Sequence, residues 1–193
     1  MFIDVPPVAS WRHGNSRVGF EACSFLPSGG GWAMSGSTTA VEANEVWWVA
    51  YEIKVDASWA TRDAVITAKC GTRPLRTIVI EGDGEGHWRI DGFANPQLDG
   101  CLDVDLESSA MTNALPIRRL SPAVGGSVTA AAVYVRVEGL TVERLEQRYL
   151  RVIDGDTGPA FDYEAPAFEF SARIDYDPSG LVVRYPGVAD RIS

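Results

Sequence analysis

Apolar and polar residues alternate in short runs along most of this chain, as they do in β-strands that bury one face. The clearest run is VWWVAYEIKVD at residues 46–56, where β-branched and aromatic residues predominate and Tyr51, Ile53 and Val55 alternate with polar positions. Similar runs occupy residues 64–70, 76–82, 129–139 and 168–187. No segment offers three amphipathic helical turns with capping residues. The pattern therefore predicts a mainly β protein.

Turn residues join some of these runs into hairpins. The triplet GDG at residues 82–84 precedes the short run HWRI, so residues 77–90 are predicted to form one hairpin. The sequence DPSG at residues 177–180 is predicted to turn a second hairpin. Residues 140–152 fit either helical spacing or strand alternation, and we interpret them as strand.

The length of the chain, 193 residues, is that of one domain. No linker rich in Gly, Ser or Pro is long enough to separate two domains. The glycine- and serine-rich residues 27–40 are predicted to be a surface loop or a weak strand rather than a domain boundary. Residues 51–68 and 133–150 align loosely with each other. We therefore predict a single domain over residues 1–193, with two loosely similar halves as the alternative.

Composition narrows the classes of partner. The formal net charge is −9, from 26 acidic and 17 basic residues, which argues against nucleic acid and against an anionic membrane surface. No apolar run is long enough to span a membrane, and the first residues show no basic leader. Cys23, Cys70 and Cys101 are far apart, as expected of buried, reduced thiols. These features predict a cytoplasmic protein.

The segment CLDVDLESSAMTNALPIRRL at residues 101–120 concentrates charge. Asp103 and Asp105 are two positions apart, so on a strand they face the same side and need a nearby cation. The Asn-Ala-Leu-Pro step is predicted to be a turn into another strand, on which Arg118 and Arg119 point to opposite sides. One arginine is therefore expected to pair with the aspartates, and the other to have a separate role.

Two interpretations of this segment stay open: a structural ion pair, or a ligand site in which an arginine donates to hydroxyls, carboxylates or phosphates. An Asp-x-Asp pair can bind a divalent cation, but no His-x-His or HExxH cluster supplies further ligands. His13 and His87 are isolated, and no Gly-x-Ser-x-Gly, P-loop or G-x-G-x-x-G motif is present. We assign no metal, cofactor or catalytic residue.

Four segments resemble, in the same order, a bacterial family described as "putative glycolipid-binding", formerly a domain of unknown function. They are EGDGEGHWRIDG, LDGCLDVDLESSAMTNALPIRRL, EQRYLRV and IDYDPSGLVVRYPG, and the resemblance covers nearly the whole chain. It implies a spiral β-roll, in which a many-stranded, mostly antiparallel sheet curls around one helix. Periodicity does not locate that helix. The family brings no established reaction or catalytic residues.

We hypothesise a non-catalytic carrier or sensor for an amphipathic ligand such as a glycolipid, held in the curled sheet. Aspartates accept hydrogen bonds from sugar hydroxyls, arginine donates to them, and aromatic rings cover their C–H faces. The candidate ligand-binding residues are Asp103, Asp105, Asn113, Arg118, Arg119, Gln147, Trp88, Tyr149 and Tyr185.

Two alternatives stand beside this hypothesis. A hydrolase would use Asp103 or Asp105 as a general acid or base, although two carboxylates on one strand do not flank a bond as those of glycosidases do. A structural or dimerisation module without a small ligand is the other, because all-β proteins with exposed sheet edges can pair. Its partner would be a second copy of the chain.

Overall fold

The computed structural model describes residues 2–14 and 17–193, and within them it places seventeen strands and one α-helix. In chain order the strands of the first half are β1 Val8–His13, β2 Arg17–Ser28, β3 Gly31–Glu42, β4 Glu45–Val55, β5 Thr61–Cys70, β6 Arg76–Gly82, β7 Trp88–Ile90, β8 Phe93–Ala94 and β9 Asp103–Leu106. The helix α1 Ala114–Leu120 follows. The remaining strands are β10 Ser127–Thr129, β11 Ala132–Val135, β12 Val142–Leu145, β13 Arg148–Gly155, β14 Gly158–Ala165, β15 Phe170–Tyr176, β16 Val182–Tyr185 and β17 Ala189–Arg191.

Fourteen of the described strands form one antiparallel sheet in the order β10-β13-β14-β15-β16-β17-β1-β2-β3-β4-β5-β6-β7-β8. The first and last strands of the chain meet within this order, where Trp11 of β1 pairs with Arg191 of β17. A smaller sheet, β12-β11-β9, contains one parallel pair, β11 with β9. The predicted mainly β fold with a many-stranded, mostly antiparallel sheet around one helix is confirmed.

The smaller sheet divides the interior into two apolar clusters. The first cluster contains the buried faces of β2–β6 together with Val133 and Val135 of β11, and the second contains the buried faces of β13–β16 together with Tyr134. Successive side chains of a strand point to opposite faces, so β11 contributes to both clusters. All four of its residues are buried for this reason. The large sheet thus curls around the small one.

Helix α1 also lies between the two clusters. Leu115 packs in the first and Ile117 in the second, and residues 114–117 are all buried. Pro116 stands in the first turn, where its missing N–H has no helical acceptor to lose. The helix ends at Leu120, and the capping residue Ser121 adopts a left-handed conformation with φ of 39°.

The predicted strand across Arg118 and Arg119 is therefore wrong, since both residues lie in the last turn of α1. The predicted turn before it is also wrong, because Asn113 ends a 3-10 turn, Met111–Asn113, that leads directly into the helix. The buried residues of α1 are consecutive, at positions 114–117, and so they show no helical spacing of apolar and polar positions. Because α1 has only seven residues, about two turns, its helical period could not be recognised in the sequence.

Most strand predictions are confirmed, including β4, β5 and the hairpins β6–β7 and β15–β16. Residues 140–152 contain two strands, β12 and most of β13, as interpreted. Residues 27–40 are strand rather than surface loop over most of their length, with a turn at Gly29 and Gly30. The strand predicted over residues 129–139 is shorter and covers Ala132–Val135.

Cys23, Cys70 and Cys101 are buried and form no disulfide. Among the described residues, no helix has the length and apolar character needed to cross a bilayer.

Candidate functional site

A cavity of about 300 Å³ lies on the second-cluster side of the small sheet. Its buried part includes Asp105, Asn113 and Tyr185, and the exposed residues Gly14, Phe168 and Gly187 stand at its mouth. This volume is at the lower end of the range for small-molecule sites. The cavity therefore suits one ring-sized chemical group better than a whole lipid.

Strand β9 supplies the cavity with its central carboxylate. Val104 and Leu106 face the first cluster, so Asp103 and Asp105 face the other side, as predicted. Asp105 Oδ1 accepts a hydrogen bond from Thr112 Oγ1 at 2.8 Å, and its Oδ2 accepts one from Gln147 Nε2 at 2.6 Å.

Burial raises the pKa of Asp105 to about 6, because an ionised carboxylate loses its hydration there. The hydrogen bonds from Thr112 and Gln147 oppose this effect, and the negative charges of Asp103 and Glu107 add to it. Asp105 is thus a buried acid that still carries a negative charge in most molecules at neutral pH.

A hydrogen-bonded network extends from Asp105 along the cavity wall. Gln147 Nε2 also donates to the hydroxyl of Tyr163 at 3.1 Å. The Tyr149 hydroxyl donates to Asn113 Oδ1 at 3.3 Å. Asn113 is 6% exposed and lines the cavity, and its Nδ2 has no hydrogen-bond partner among the described residues. This amide N–H group is a donor available to a ligand.

Aromatic rings form a large part of the wall. The rings of Tyr163, Phe170 and Tyr185 pack against one another with centroids 5.9–6.2 Å apart. Tyr134 and Phe168 form a second pair at 5.3 Å. Alternation places these rings on the inner face: Tyr163 stands two residues after the buried Phe161 of β14, and Tyr185 lies in β16.

Charged groups form another part of the wall. Arg17 Nε donates to Glu42 Oε2 at 3.2 Å, and Arg17 Nη1 donates to the carbonyl oxygen of Glu107. The Arg17 guanidinium also lies 4.4 Å from the centroid of the Trp47 ring. Glu107 Oε2 accepts a hydrogen bond from the Val137 N–H at 2.8 Å.

The structure brings five of the nine candidate residues together. Asp105, Asn113 and Tyr185 line the cavity. Gln147 and Tyr149 lie behind the wall, where each is bonded to a lining residue. Whether any of the five binds a ligand stays a prediction.

The other four candidates lie elsewhere. Arg119 donates to both oxygens of Asp103. Arg118 donates to the carbonyl oxygen of Ile3 and to that of Ser179, which lies in the turn between β15 and β16. Trp88 belongs to the first cluster, and its Nε1 donates to the carbonyl oxygen of Cys101 at 2.9 Å. The two arginines do have separate partners, although the cause is the turn of a helix and not the two faces of a strand.

Sequence reasoning missed several residues of the wall: Arg17, Glu107, Tyr134, Tyr163, Phe168 and Phe170. Alternation in FDYEA of β14 marks Tyr163 as inward-facing, which was a usable signal. It could not show which of two interior clusters the ring joins. Among the described residues, no three side chains of His, Cys, Asp or Glu come together as a metal site would require.

Comparisons with known proteins agree with this architecture. A family model described as "Putative glycolipid-binding" matches residues 8–191. The chain is similar to a DUF1089 family protein from Pseudomonas aeruginosa, with 31% sequence identity, a TM-score of 0.78 and coverage of 94% of this chain and 95% of that one.

A second solved structure shares the fold alone. It is a "Beta-barrel-like Protein of Domain of Unknown Function DUF1849" from Brucella abortus, with 10% identity, a TM-score of 0.55 and coverage of 100% and 98%. None of the curated proteins compared with the chain matches it.

Proposed function

This chain belongs to the family described as "Putative glycolipid-binding", and from that premise we propose that it is a non-catalytic binding protein for an amphipathic ligand with a sugar head group. The head group occupies the 300 Å³ cavity, and the apolar chain leaves through the mouth past Phe168. One observation carries the proposal: the wall combines packed aromatic rings with buried carboxylate and amide groups.

Each part of the wall matches a part of a sugar. The rings of Tyr163, Phe170 and Tyr185 offer flat apolar surface to the C–H face of a pyranose. Asp105 accepts hydrogen bonds from hydroxyl groups, and Asn113 Nδ2 donates to a hydroxyl oxygen. A small number of placed polar groups beside aromatic rings is a usual arrangement for orienting a small ligand.

Replacement of Phe168 tests the proposed function. Its side chain lines the mouth of the cavity and is 40% exposed, so its removal leaves the core intact. Octyl β-glucoside, kept below its micelle concentration, is the probe, and binding is measured by isothermal titration and native mass spectrometry. We expect the protein to bind it and Phe168→Ala to weaken binding by about 2- to 10-fold.

Phe93→Ala is the matched control, because Phe93 is 78% exposed on β8 and does not line the cavity. Its binding constant should equal that of the unmodified protein. If no glycoside binds, or if both variants weaken binding equally, the proposed function is wrong. Native mass spectrometry of protein purified from its host adds a second readout, since a co-purified glycolipid would support the proposal.

A hydrolase is the second candidate, because burial holds the pKa of Asp105 at about 6, a value that suits a general acid or base. Asp103 is tied to Arg119 and does not line the cavity, so Glu42 and Glu107 are the other described carboxylates on the wall. Hydrolysis of nitrophenyl glycosides or esters that disappears in Asp105→Asn would favour this candidate over simple binding.

A further inference from the structure

The cavity wall is unusually acidic for a site that would hold a lipid head group. Its described lining residues include three carboxylates, those of Glu42, Asp105 and Glu107, and one guanidinium, that of Arg17. Arg17 is already paired with Glu42 and bonded to the backbone of Glu107. The carboxylates of Asp105 and Glu107 are therefore left without a cationic partner among the described residues.

We infer that the cavity selects a head group that carries a positive charge, namely an amino sugar, over neutral and anionic sugars. This inference rests on the proposed function, since it names the class of ligand for the same cavity. An ammonium group would sit between the two unpaired carboxylates, and the ring hydroxyls would reach Asn113.

The carboxylates have acceptor capacity to spare. Each oxygen of Asp105 accepts one hydrogen bond from the protein, and a carboxylate oxygen can accept about two. Glu107 Oε2 accepts the Val137 N–H, whereas Oε1 has no hydrogen-bond partner among the described residues. Hydrogen bonds from an ammonium to carboxylates are charge-assisted and stronger than those from a neutral hydroxyl.

The aromatic rings favour the same sign of charge. The faces of Tyr163, Phe170 and Tyr185 are electron-rich, and no cation of the described residues lies over any of them. At the neighbouring pair, Arg136 lies 5.5 Å from the Tyr134 centroid and 5.4 Å from the Phe168 centroid. The faces of Tyr134 and Phe168 are therefore already occupied by a cation, which leaves the rings of Tyr163, Phe170 and Tyr185 for an ammonium group of the ligand.

Asn113 distinguishes an amino sugar from a simple amine. Its side chain is 6% exposed and lines the cavity, and its Nδ2 donor has no partner among the described residues. A ligand that satisfies it must present an acceptor, such as a hydroxyl oxygen, beside the ammonium. A phosphate or carboxylate on the ligand would instead meet Asp105 and Glu107 at close range, where like charges repel.

Three octyl glycosides with the same tail test the inference: the 2-amino-2-deoxyglucoside, the glucoside and the glucuronide. Titration at pH 6.8 and low salt, where most of the amino glycoside is protonated, should give it the lowest Kd, roughly tenfold below that of the glucoside, and the glucuronide the highest. Raising the salt concentration should shrink the difference between the first two.

Glu107→Gln should weaken binding of the amino glycoside more than binding of the glucoside, and so remove most of the preference. Asp105→Asn should also reduce the preference for the amino glycoside, and it should weaken glucoside binding as well, because Asp105 accepts hydrogen bonds from sugar hydroxyls; its melting temperature is checked first. Glu81→Gln is the control, because Glu81 is exposed on β6, outside the cavity. If the glucoside binds as tightly as the amino glycoside, or the glucuronide binds best, the inference is overturned while the proposed function stands. If none of the three binds, the proposed function fails and the inference fails with it.

Discussion

Arg119 holds Asp103 in a two-point ion pair, with Nε 3.0 Å from Oδ1 and Nη2 2.6 Å from Oδ2. The side chain of Asp103 is 1% exposed. Burial raises its pKa, and the hydrogen bonds and positive charge of Arg119 oppose that rise. The pair joins the end of α1 to the start of β9, so it helps to keep Asp105 and Asn113 in place on the cavity wall.

Loss of Arg119 should strongly destabilise the protein. Arg119→Met leaves the Asp103 carboxylate buried without a partner, and we expect the free energy of unfolding to fall by about 3–5 kcal/mol in urea titrations. The double variant Asp103→Leu with Arg119→Met should recover part of this loss, since it removes the buried charge as well.

Arg173 and Asp162 provide the matched control, because they form a similar two-point pair, at 2.8 and 3.2 Å, on the exposed face of the sheet. Arg173→Met should cost far less, since water solvates the carboxylate that is left. Equal losses at the two sites would contradict the structural role given to Arg119.

Arg118 should stabilise the chain at a different place. Its Nη1 donates to the carbonyl oxygens of Ile3 and Ser179, and its guanidinium lies 3.9 Å from the centroid of the Trp59 ring. Arg118→Met removes both hydrogen bonds, so we expect a loss of about 1–3 kcal/mol. Hydrogen exchange should show the Ile3 amide, which donates to Pro178, becoming less protected.

Binding separates this role from a ligand-binding role. Arg118→Met should bind octyl β-glucoside as the unmodified protein does, because Arg118 does not line the cavity. Weaker binding with unchanged stability would show that Arg118 contacts the ligand and that its structural assignment is wrong.

The strands that sequence patterns predicted are those with one buried and one exposed face. In β4, burial alternates from Trp47 to Val55, so the pattern was visible in the residues. Strand β11 is buried at all four positions because it separates two clusters, and α1 is buried through its first four residues. Neither β11 nor the first half of α1 has a polar face, so the exact bounds of the two elements could not be predicted from alternation.

Residues of the candidate site could be predicted only where the alternation along a strand fixes the direction of the side chain. Asp103 and Asp105 had to share a face of β9, and the structure agrees. Gln147 reaches Asp105 across 42 positions of sequence, and that proximity depends on how the sheet curls. Trp88 looked like the other candidate rings, but it faces the first cluster.

Glu21 has an unexpected structural role. It lies in β2 with no exposed surface, and its carboxylate accepts hydrogen bonds from the Tyr51 hydroxyl, the Ser109 hydroxyl and the Ala110 N–H. It thus fastens the segment before α1 to the large sheet. Burial raises the pKa of Glu21, and these hydrogen bonds oppose the rise.

Glu21→Ala should leave the three donors buried without an acceptor and lower the free energy of unfolding by about 3–5 kcal/mol. Hydrogen exchange of the Ala110 amide should accelerate more than hydrogen exchange of the amides in β4. Glu52→Ala is the control, because Glu52 is an exposed residue of β4 and its loss should change stability little. A small effect of Glu21→Ala would contradict this role.

Asp105 should make stability depend on pH in the direction opposite to that of an ordinary ion-paired aspartate. Burial raises its pKa from 3.8 to about 6, so the folded protein keeps the proton more tightly than the unfolded chain. Below pH 4 both states are protonated. Between pH 4 and 6 only the unfolded chain loses the proton, so the free energy of unfolding falls as pH rises. Above pH 6 the full penalty, about 3 kcal/mol, is present.

Asp105→Asn removes this titration, and the comparison isolates it because Glu21 and Asp103, whose pKa values are also raised, are present in both proteins. Urea titrations from pH 4 to 7.5 should show the variant gaining about 2–3 kcal/mol relative to the unmodified protein as pH rises. Replacing a hydrogen-bond acceptor of Thr112 and Gln147 adds a constant offset that does not change this slope. If the difference in stability between the two proteins does not change with pH, Asp105 is already ionised in the folded protein at pH 4. Water would then reach the Asp105 carboxylate in spite of its burial.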